Sequence, residues 1–400
     1  MKILVLNCGS SSIKYKLFDM TDKSVIASGG IEKIGLADSF LKFALPDGEK
    51  KIIHKDIPEH TVGVELILQT LVDPQYGAIK SYDEIDAVGH RMVHGGERFT
   101  ESVLLTPEVL KEFEACNDLA PLHNPANLKG VNAVKAILPN VPQIGVFDTA
   151  FHQTMPDYAY MYALPYEFYE KYKIRRYGFH GTSHRFISQY VCEYLGVKKE
   201  GLKLITCHIG NGASIAAIKD GKVLDTSMGL TPLEGLIMGT RSGDVDGGVI
   251  TFLENKLGVN AAQMSDLLNK KSGMLGITGV SSDMRELEVA QKEGNPRAIL
   301  ADKMYNYRIK KYIGAYAAVL GGVDVIVFTG GVGENQASMR ANTLEGLEFL
   351  GIKIDPELNA ATVRGKEGII STPDSKVKVV ILATDEELMI AQDTMNIVKA

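Results

Sequence analysis

The sequence predicts an α/β protein built from two related halves, and three observations predict it. The chain has 400 residues, more than one core usually serves and a usual length for two domains. Short apolar runs alternate with stretches whose apolar residues recur at helical spacing. One strand–turn–strand pattern near the start returns, shifted by a residue or two, in the second half.

The first copy runs from Ile3 to Asp19. Ile3 to Leu6 is an apolar run that suits a buried strand, and Gly9 to Ser12 is turn material. Ile13, Tyr15 and Leu17 then alternate with Lys14 and Lys16, the period of a half-buried strand. The second copy is Leu204 to Gly221, with its turn at His208-Ile209-Gly210-Asn211-Gly212. Between them, Leu41 to Ile53 predicts a hairpin turning at Pro46-Asp47-Gly48. Val64, Ile67, Leu68 and Leu71 predict a helix over Thr61 to Asp73. Ile85 to Val88 predicts a strand, and Thr106-Pro107 caps a helix to about Leu119. Asn124-Pro125 caps the next helix, and Gln143 to Phe147 is a strand ending on Asp148.

A connection rich in proline and aromatic residues spans Met155 to Tyr172, before a helix over Ser183 to Leu195. Tyr305, Ile309, Ile313, Tyr316 and Leu320 stripe a long helix, and Val325 to Phe328 is a buried-type strand. Val377 to Leu382 is a last strand. Thr384-Asp385-Glu386-Glu387 has capping-box spacing before a terminal helix that returns to the first half. The expected domains are residues 1–150 joined by 384–400, and 151–383.

The composition, 45% hydrophobic and 23% charged, is that of a soluble globular protein. A net charge of −6 argues against a nucleic-acid surface. Cys8, Cys116, Cys192 and Cys207 have no C-x-x-C spacing, and no Cys/His cluster suggests zinc. They fit reduced thiols. No apolar run reaches membrane-spanning length, and the start is too weakly apolar for a signal peptide. The expectation is a cytoplasmic protein that binds neither membrane nor nucleic acid.

The chemistry concentrates in three glycine-rich turns, each after a strand: 7–12, 208–212 and 330–335. Their backbone N–H groups suit phosphate, and Lys14 lies two residues beyond the first; flexible hairpin tips are the other reading. Neither a P-loop, a protein-kinase signature nor a G-x-G-x-x-G turn occurs. Arg91 and Arg241 sit among glycines, where a planar, permanently charged guanidinium can meet carboxylate or phosphoryl oxygens; surface ion pairs are the alternative. Asp148 at a strand end suits a metal contact, a hydrogen bond to a reacting group, or a cap. Glu386 suits Mg2+, or simply the first turn of a helix. His123, His180 and His208 stand in polar, small-residue contexts.

Taken together these stretches resemble the acetate kinase family of the acetate and sugar kinase, Hsp70 and actin superfamily. The resemblance rests on Asn7-Cys-Gly-Ser-Ser-Ser-Ile-Lys14 and on Asp-Thr-Ala-Phe-His at 148–152. It rests also on Arg-Tyr-Gly-Phe-His-Gly-Thr-Ser-His, His-Ile-Gly-Asn-Gly, Gly-Thr-Arg-Ser-Gly-Asp and Gly-Gly-Val-Gly-Glu-Asn, and covers nearly the whole chain. It implies two α/β domains of the actin-like ATPase (ribonuclease H-like) type with a central nucleotide cleft. It implies Mg2+, or alternatively Mn2+, near Asn7 and Glu386, with ATP or ADP as substrate. Lys14, His208, Ile209, Gly210, Asn211, Gly212, Asp283, Met284, Arg285, Gly331, Val332, Gly333, Glu334 and Asn335 would hold the nucleotide. Arg91 would bind the carboxylate, His180 and Arg241 would stabilise the transition state, and Asp148 takes the acid/base position. Val93, Leu122, Phe179 and Pro232 would surround the methyl group.

The activity implied is reversible transfer of phosphoryl from ATP to acetate by direct in-line attack, with a homodimer as the assembly. Acetate is already ionised at neutral pH. Asp148 is therefore expected to orient Mg2+, substrate or a side chain rather than remove a proton. The alternatives are a propionate or butyrate kinase and a nucleotide-gated scaffold of the actin/Hsp70 type.

Overall fold

In a strand, successive side chains face opposite ways, so a strand covered on both sides must be apolar throughout. Strand β1 (Lys2–Cys8) meets that condition from Ile3 to Leu6. Leu4, Leu6 and Cys8 pack with Val64, Ile67, Leu68 and Leu71 and with Ala133 and Val134, from two helices on one face. Ile3 and Val5 pack with Ile390 and Ala391, from the C-terminal helix Glu386–Lys399, on the other. The computed structural model describes residues 1–48 and 50–400. They form two compact units, Met1–Phe151 with Asp385–Ala400, and His152–Thr384.

The first unit continues with β2 (Ser12–Asp19), β3 (Ser24–Glu32), β4 (Phe40–Ala44), β5 (Lys50–His54), β6 (Ala87–Met92), β7 (Val103–Leu104) and β8 (Gln143–Phe147). The order across its sheet is β5-β4-β3-β2-β1-β6-β8-β7. The hairpin strands run antiparallel, whereas β1 with β6 and β6 with β8 run parallel. In the second unit are β9 (Lys203–Ile209), β10 (Ala213–Lys219), β11 (Lys222–Thr226), β12 (Val325–Thr329), β13 (Gly368–Ile369) and β14 (Lys378–Ile381). Their order is β11-β10-β9-β12-β14-β13, with β9, β12 and β14 parallel. The first five strands of this sheet repeat the β3-β2-β1-β6-β8 arrangement. The echoed hairpin is thus an echo of a whole sheet, and the fold is the two-domain actin-like ATPase type.

Several local expectations need correction. The helix opening at Pro107 is capped by Thr106 Oγ1, which accepts from Val109 N, but it ends at Glu114; a separate 3-10 turn covers Asn117–Leu119. The Asn124 side chain does not cap its helix. It is buried, accepting from His94 N and donating to the carbonyls of His94 and Cys116. Before the terminal helix the cap is Asp385, which accepts from Leu388 N, and not a Thr384–Glu387 box. A reciprocal box forms instead at Asn260 and Gln263, opening the helix Ala261–Lys270. Residues 330–335 are a short helix rather than a turn. The predicted hairpin over 41–53 is present as β4 and β5, and its Glu49 lies outside the described residues. The connection over 155–172 carries two short helices, Asp157–Tyr160 and Tyr166–Tyr172.

Gly89 on β6 shows how tightly the C-terminal helix docks. A Cβ there would lie 2.5 Å from Thr394 Oγ1 and 2.7 Å from Ile390 Cγ2. Gly89→Ala is expected to push the helix 386–399 off the sheet and destabilise the unit by about 1–3 kcal/mol, the usual range for overpacking. Urea unfolding would measure this, with hydrogen exchange localising the lost protection to 386–399. Unchanged stability and protection would show that the helix has room to spare.

Candidate active site

Parallel strands deliver their carboxyl ends to one edge of a sheet, the usual place for ligands in open α/β folds. In the first unit that edge collects Asn7 from β1, Arg91 from β6 and Asp148 just beyond β8. Arg91 grips Asp148 bidentately, with Nε to Oδ1 at 2.9 Å and Nη2 to Oδ2 at 2.6 Å. Its Nη1 reaches towards Asn7 Oδ1 at 3.5 Å. Asp148 is 1% exposed while Arg91 keeps 24%. Burial works against the Arg91 charge, but the neighbouring Asp148 outweighs it and raises the pKa. The fork expected to take a substrate carboxylate is therefore engaged by a carboxylate of the protein. Asp148 sets the orientation of Arg91.

Glu386 opens the terminal helix at the same edge. Its Oε1 is buried without a hydrogen-bond partner among the described residues. Burial, with Asp148 and Glu387 nearby, pushes its carboxyl up to about 7 against the pull of Arg91 and Lys14. Lys14 is exposed on β2, opposite Asn7 in the strand register. Lys16 holds the first helical turn through Asp385 at 3.3 Å and Glu387 at 3.2 Å. Among the described residues no three His, Cys, Asp or Glu side chains form a preformed metal cage. An orphaned buried carboxylate oxygen, a second carboxylate and an amide oxygen nevertheless fit a hard cation. Mg2+ keeps several waters and takes only one or two protein carboxylates beside substrate phosphates.

In the second unit the cavity of about 750 Å³ is walled by Gly210 and Asn211, by Ser282 to Arg285 with Glu288, and by Gly331, Val332, Asn335 and Gln336. Its size is that of an ordinary small-molecule site. Three segments distant in sequence thus meet at one cavity. Ser282, Glu288 and Gln336 were missed; each is one residue or one helical turn from a segment that was found. Several of the expected nucleotide residues also do structural work. Ile209 is fully buried, and Gly330 (φ +79°) lets the chain pass so close that a Cβ would lie 2.8 Å from the Ile209 carbonyl oxygen. Glu334 Oε1 accepts from Gly330 N at 2.8 Å. Gly333 is buried against Ile209. Asp283 caps the helix Met284–Lys292, accepting from Arg285 N, Nε and Nη2; those bonds lower its carboxyl to about 2. Buried Arg340 pins the short helix by donating to the carbonyls of Gly333 and Glu334.

Beside that cavity wall lie His180, His208 and Arg241. His180 adopts a left-handed backbone (φ 56°) immediately before the helix Gly181–Leu195, a conformation that non-glycine residues hold chiefly where the surroundings demand it. Its ring stacks on His208 at 4.3 Å and its Nδ1 meets Ser214 Oγ at 2.9 Å. Arg241 donates through Nη1 to the Pro232 carbonyl at 2.7 Å. It has no ion-pair partner among the described residues, and burial lowers its pKa. A Cβ on Gly212 would lie 3.0 Å from Arg241 Nη2 and 3.6 Å from His180 Nε2. Both nitrogens therefore flank one glycine.

The apolar four divide between the units. Val93 and Leu122 belong to the first, where Val93 N donates to Asn127 Oδ1 and Leu122 is 70% exposed. Phe179 and Pro232 belong to the second, with Phe179 2% exposed and its carbonyl accepting from His152 Nε2. His123 is exposed, just before the helix Asn124–Ile137.

A sheet theme used twice, turns at the carboxyl edge and a nucleotide-sized cavity define an actin-like ATPase-type enzyme. The family model described as the acetokinase family matches residues 2–392, and the chain belongs to that family. It is 76% identical over 397 residues to an acetate kinase of Phocaeicola vulgatus, covering 99% of each. The crystal structure of Porphyromonas gingivalis acetate kinase superposes with a TM-score of 0.96 at 62% identity, covering 99% of both chains. A propionate kinase structure from Francisella tularensis superposes with a TM-score of 0.92 at 41% identity, again over 99% of both chains.

The Glu386 environment makes a pH-dependent prediction. Between its ordinary 4.5 and about 7 the folded protein holds a proton that the unfolded chain releases, so stability falls as pH rises through that window. Glu386→Gln removes this dependence and is expected to stabilise the protein by about 1–3 kcal/mol near pH 8, with little effect below about pH 4.5. Parallel pH profiles of urea midpoints for both proteins would show a buried, unrelieved charge as their divergence; identical profiles would exclude it.

Proposed function

We propose that the protein transfers the γ-phosphoryl group of ATP to acetate, giving acetyl phosphate and ADP, reversibly. Its family makes it a phosphotransferase with a carboxyl acceptor. The observation that carries the mechanism is the pair of donors at Gly212. An uncompensated guanidinium and an imidazole nitrogen sit on the turn that also walls the cavity. Phosphoryl transfer needs little covalent work from the protein, so positioning and charge neutralisation dominate.

One acetate oxygen forms the new bond to the γ-phosphorus as the bond to the β–γ bridging oxygen breaks, and that electron pair leaves on ADP. Arg91, oriented by Asp148, holds the acetate carboxylate once it has rotated part of its fork from Asp148. Arg241 and His180 meet the charge gathering on the equatorial oxygens. By resemblance to the family, contact with the methyl group is assigned to Val93, Leu122, Phe179 and Pro232. The 208–212, 283–285 and 331–335 segments, with Lys14, hold the nucleotide. Asn7, Asp148 and Glu386 would hold Mg2+, which when bound neutralises phosphate charge. No proton need be removed from acetate, so Asp148 acts by orientation.

We also take the protein to be cytoplasmic and homodimeric. Supporting this, no helix among the described residues is long and apolar enough to cross a membrane, and all four cysteines are free thiols. The helix Gly247–Leu257 buries none of its residues and exposes Val249, Phe252 and Leu257.

The deciding assay is acetate-dependent ADP formation with the acyl phosphate trapped as a hydroxamate. ADP formation independent of acetate would point to a nucleotide-gated scaffold instead. Arg241→Ala is expected to lower kcat by roughly two to three orders of magnitude with the fold intact, the usual effect of losing one transition-state donor. Arg241→Lys should recover only part, because an ammonium lacks the planar fork; full activity would sink that argument. Val93→Ala should raise the propionate-to-acetate ratio of kcat/KM several-fold, the lower end of the roughly 1–3 kcal/mol that a methylene commands. An unchanged ratio would remove Val93 from the pocket.

A further inference from the structure

We infer that Ser214 is a positioning residue that dictates which nitrogen of His180 carries its proton, at the end of a buried chain Thr206–His184–Ser214–His180. The inference rests on the reading that His180 acts at the phosphoryl group. The chain is continuous. Thr206 Oγ1 meets His184 Nδ1 at 2.7 Å, His184 Nε2 meets Ser214 Oγ at 2.8 Å, and Ser214 Oγ meets His180 Nδ1 at 2.9 Å. Thr206, His184 and Ser214 are all fully buried. They come from adjacent β9 and β10 and from the helix that begins after His180, so backbone structure holds each of them.

Burial keeps His184 neutral, with its pKa well below 6.5, and the nearby His152 and His208 add to this. A neutral imidazole has one N–H and one lone pair, and each hydroxyl has a single hydrogen. The chain can therefore be polarised in only two ways. If His184 Nδ1–H donates to Thr206, the Thr206 hydrogen must turn elsewhere. Among the described residues the Thr206 hydroxyl has no hydrogen-bond partner other than His184, so that polarity leaves a buried donor unmet. If Thr206 donates instead, every hydrogen is used. Thr206 donates to His184 Nδ1, His184 Nε2–H donates to Ser214, and Ser214 donates to His180 Nδ1.

The second polarity decides the state of His180. With its Nδ1 accepting, neutral His180 must carry its hydrogen on Nε2, the nitrogen beside Gly212 and Arg241 Nη2. His180 then offers a donor to an anionic oxygen without being a cation. The titratable or charged groups facing it within its unit are His208, stacked on the ring, His184 across Ser214, and Arg241 across Gly212. Without the Ser214 hydroxyl, neutral His180 may take either tautomer, whereas cationic His180 keeps Nε2–H. The defect therefore belongs to neutral His180 and is absent from the cation.

The direct test is two-bond ¹H–¹⁵N spectroscopy of the wild-type protein with ¹⁵N-labelled histidine near pH 8. The expected spectrum has His180 and His184 both protonated on Nε2 with lone pairs on Nδ1. Neutral His180 protonated on Nδ1 would overturn the inference. In kinetics, Ser214→Ala is expected to lower kcat roughly 10- to 100-fold near pH 8, the lower end of proton-positioning effects. The loss should shrink as the pH is lowered, with KM values for acetate and ATP little changed and Ser214→Thr restoring most of the rate. A loss equal at every pH would reduce Ser214 to a packing role, and no loss would remove it altogether. Should Ser214→Ala fail to fold, the wild-type spectrum alone decides. Absence of acetate-dependent turnover in the wild type would sink the proposed function, while the spectrum would still report the tautomer.

Discussion

Parallel pairing of β1 with β6 and of β6 with β8 is the constraint on which the first unit depends. Parallel strands place all their carboxyl ends on one edge, and register decides which residues arrive together. Leu6 lies opposite His90, and Met92 opposite Phe147. Asn7, Arg91 and Asp148 therefore leave the sheet side by side, although up to 141 positions separate them in the chain. A slip of one residue in β6 would turn Arg91 to the opposite face and leave Asp148 buried without its cation. The second unit repeats the device. Thr329 lies opposite His208, so the glycine-rich segments that follow β9 and β12 emerge together at the cavity.

Each unit holds its strand ends against its own electrostatics. Among the described residues, Glu386 in the first unit buries an oxygen with no hydrogen-bond partner beside Asp148, and Arg241 in the second is half-buried with no acidic partner. Uncompensated charges of this kind oppose folding. The apolar packing beneath them supplies the difference: β1 is sandwiched on both faces, and β8 and β12 are buried along their whole length. Such unrelieved charges stand where ordinary surface would show ion pairs. Arg91 and Asp148 are the contrasting case, a satisfied pair that preserves geometry.

Polar groups in the second unit's interior follow the opposite rule. Thr206 and Ser214 lie on strands where a buried sheet usually carries valine or leucine, His184 lies on the helix packed against them, and each finds its hydrogen-bond partners within the group. A fully paired polar chain of this kind has few alternative arrangements. It gives the His180 ring a defined orientation as well as a defined place.

Much of this was determined by the sequence itself. Period-two alternation in Ile13–Leu17 and helical spacing in Val64–Leu71 depend on which face of a local element is apolar, and local elements are written in consecutive residues. The repeated hairpin was legible for the same reason, and so were the glycine-rich segments and the framed arginines. What the sequence left open depended on partners far along the chain. Thr384–Glu387 has the spacing of a capping box, yet Asp385 takes the cap, because Lys16 from β2 fixes the first turn through Asp385 and Glu387. Asn124 reads as a cap but is drawn inward by His94 and Cys116. Ile209 reads as part of a ligand turn, and its side chain is also core, because the helix over 330–335 lies on it. The helices between 247 and 292 have weak or mixed periodicity and were not anticipated. The Arg91–Asp148 grip and the Thr206–His184–Ser214 chain carry no sequence signal at all. Each joins residues from separate elements whose meeting is decided by strand register and helix docking, and no spacing along one chain encodes that.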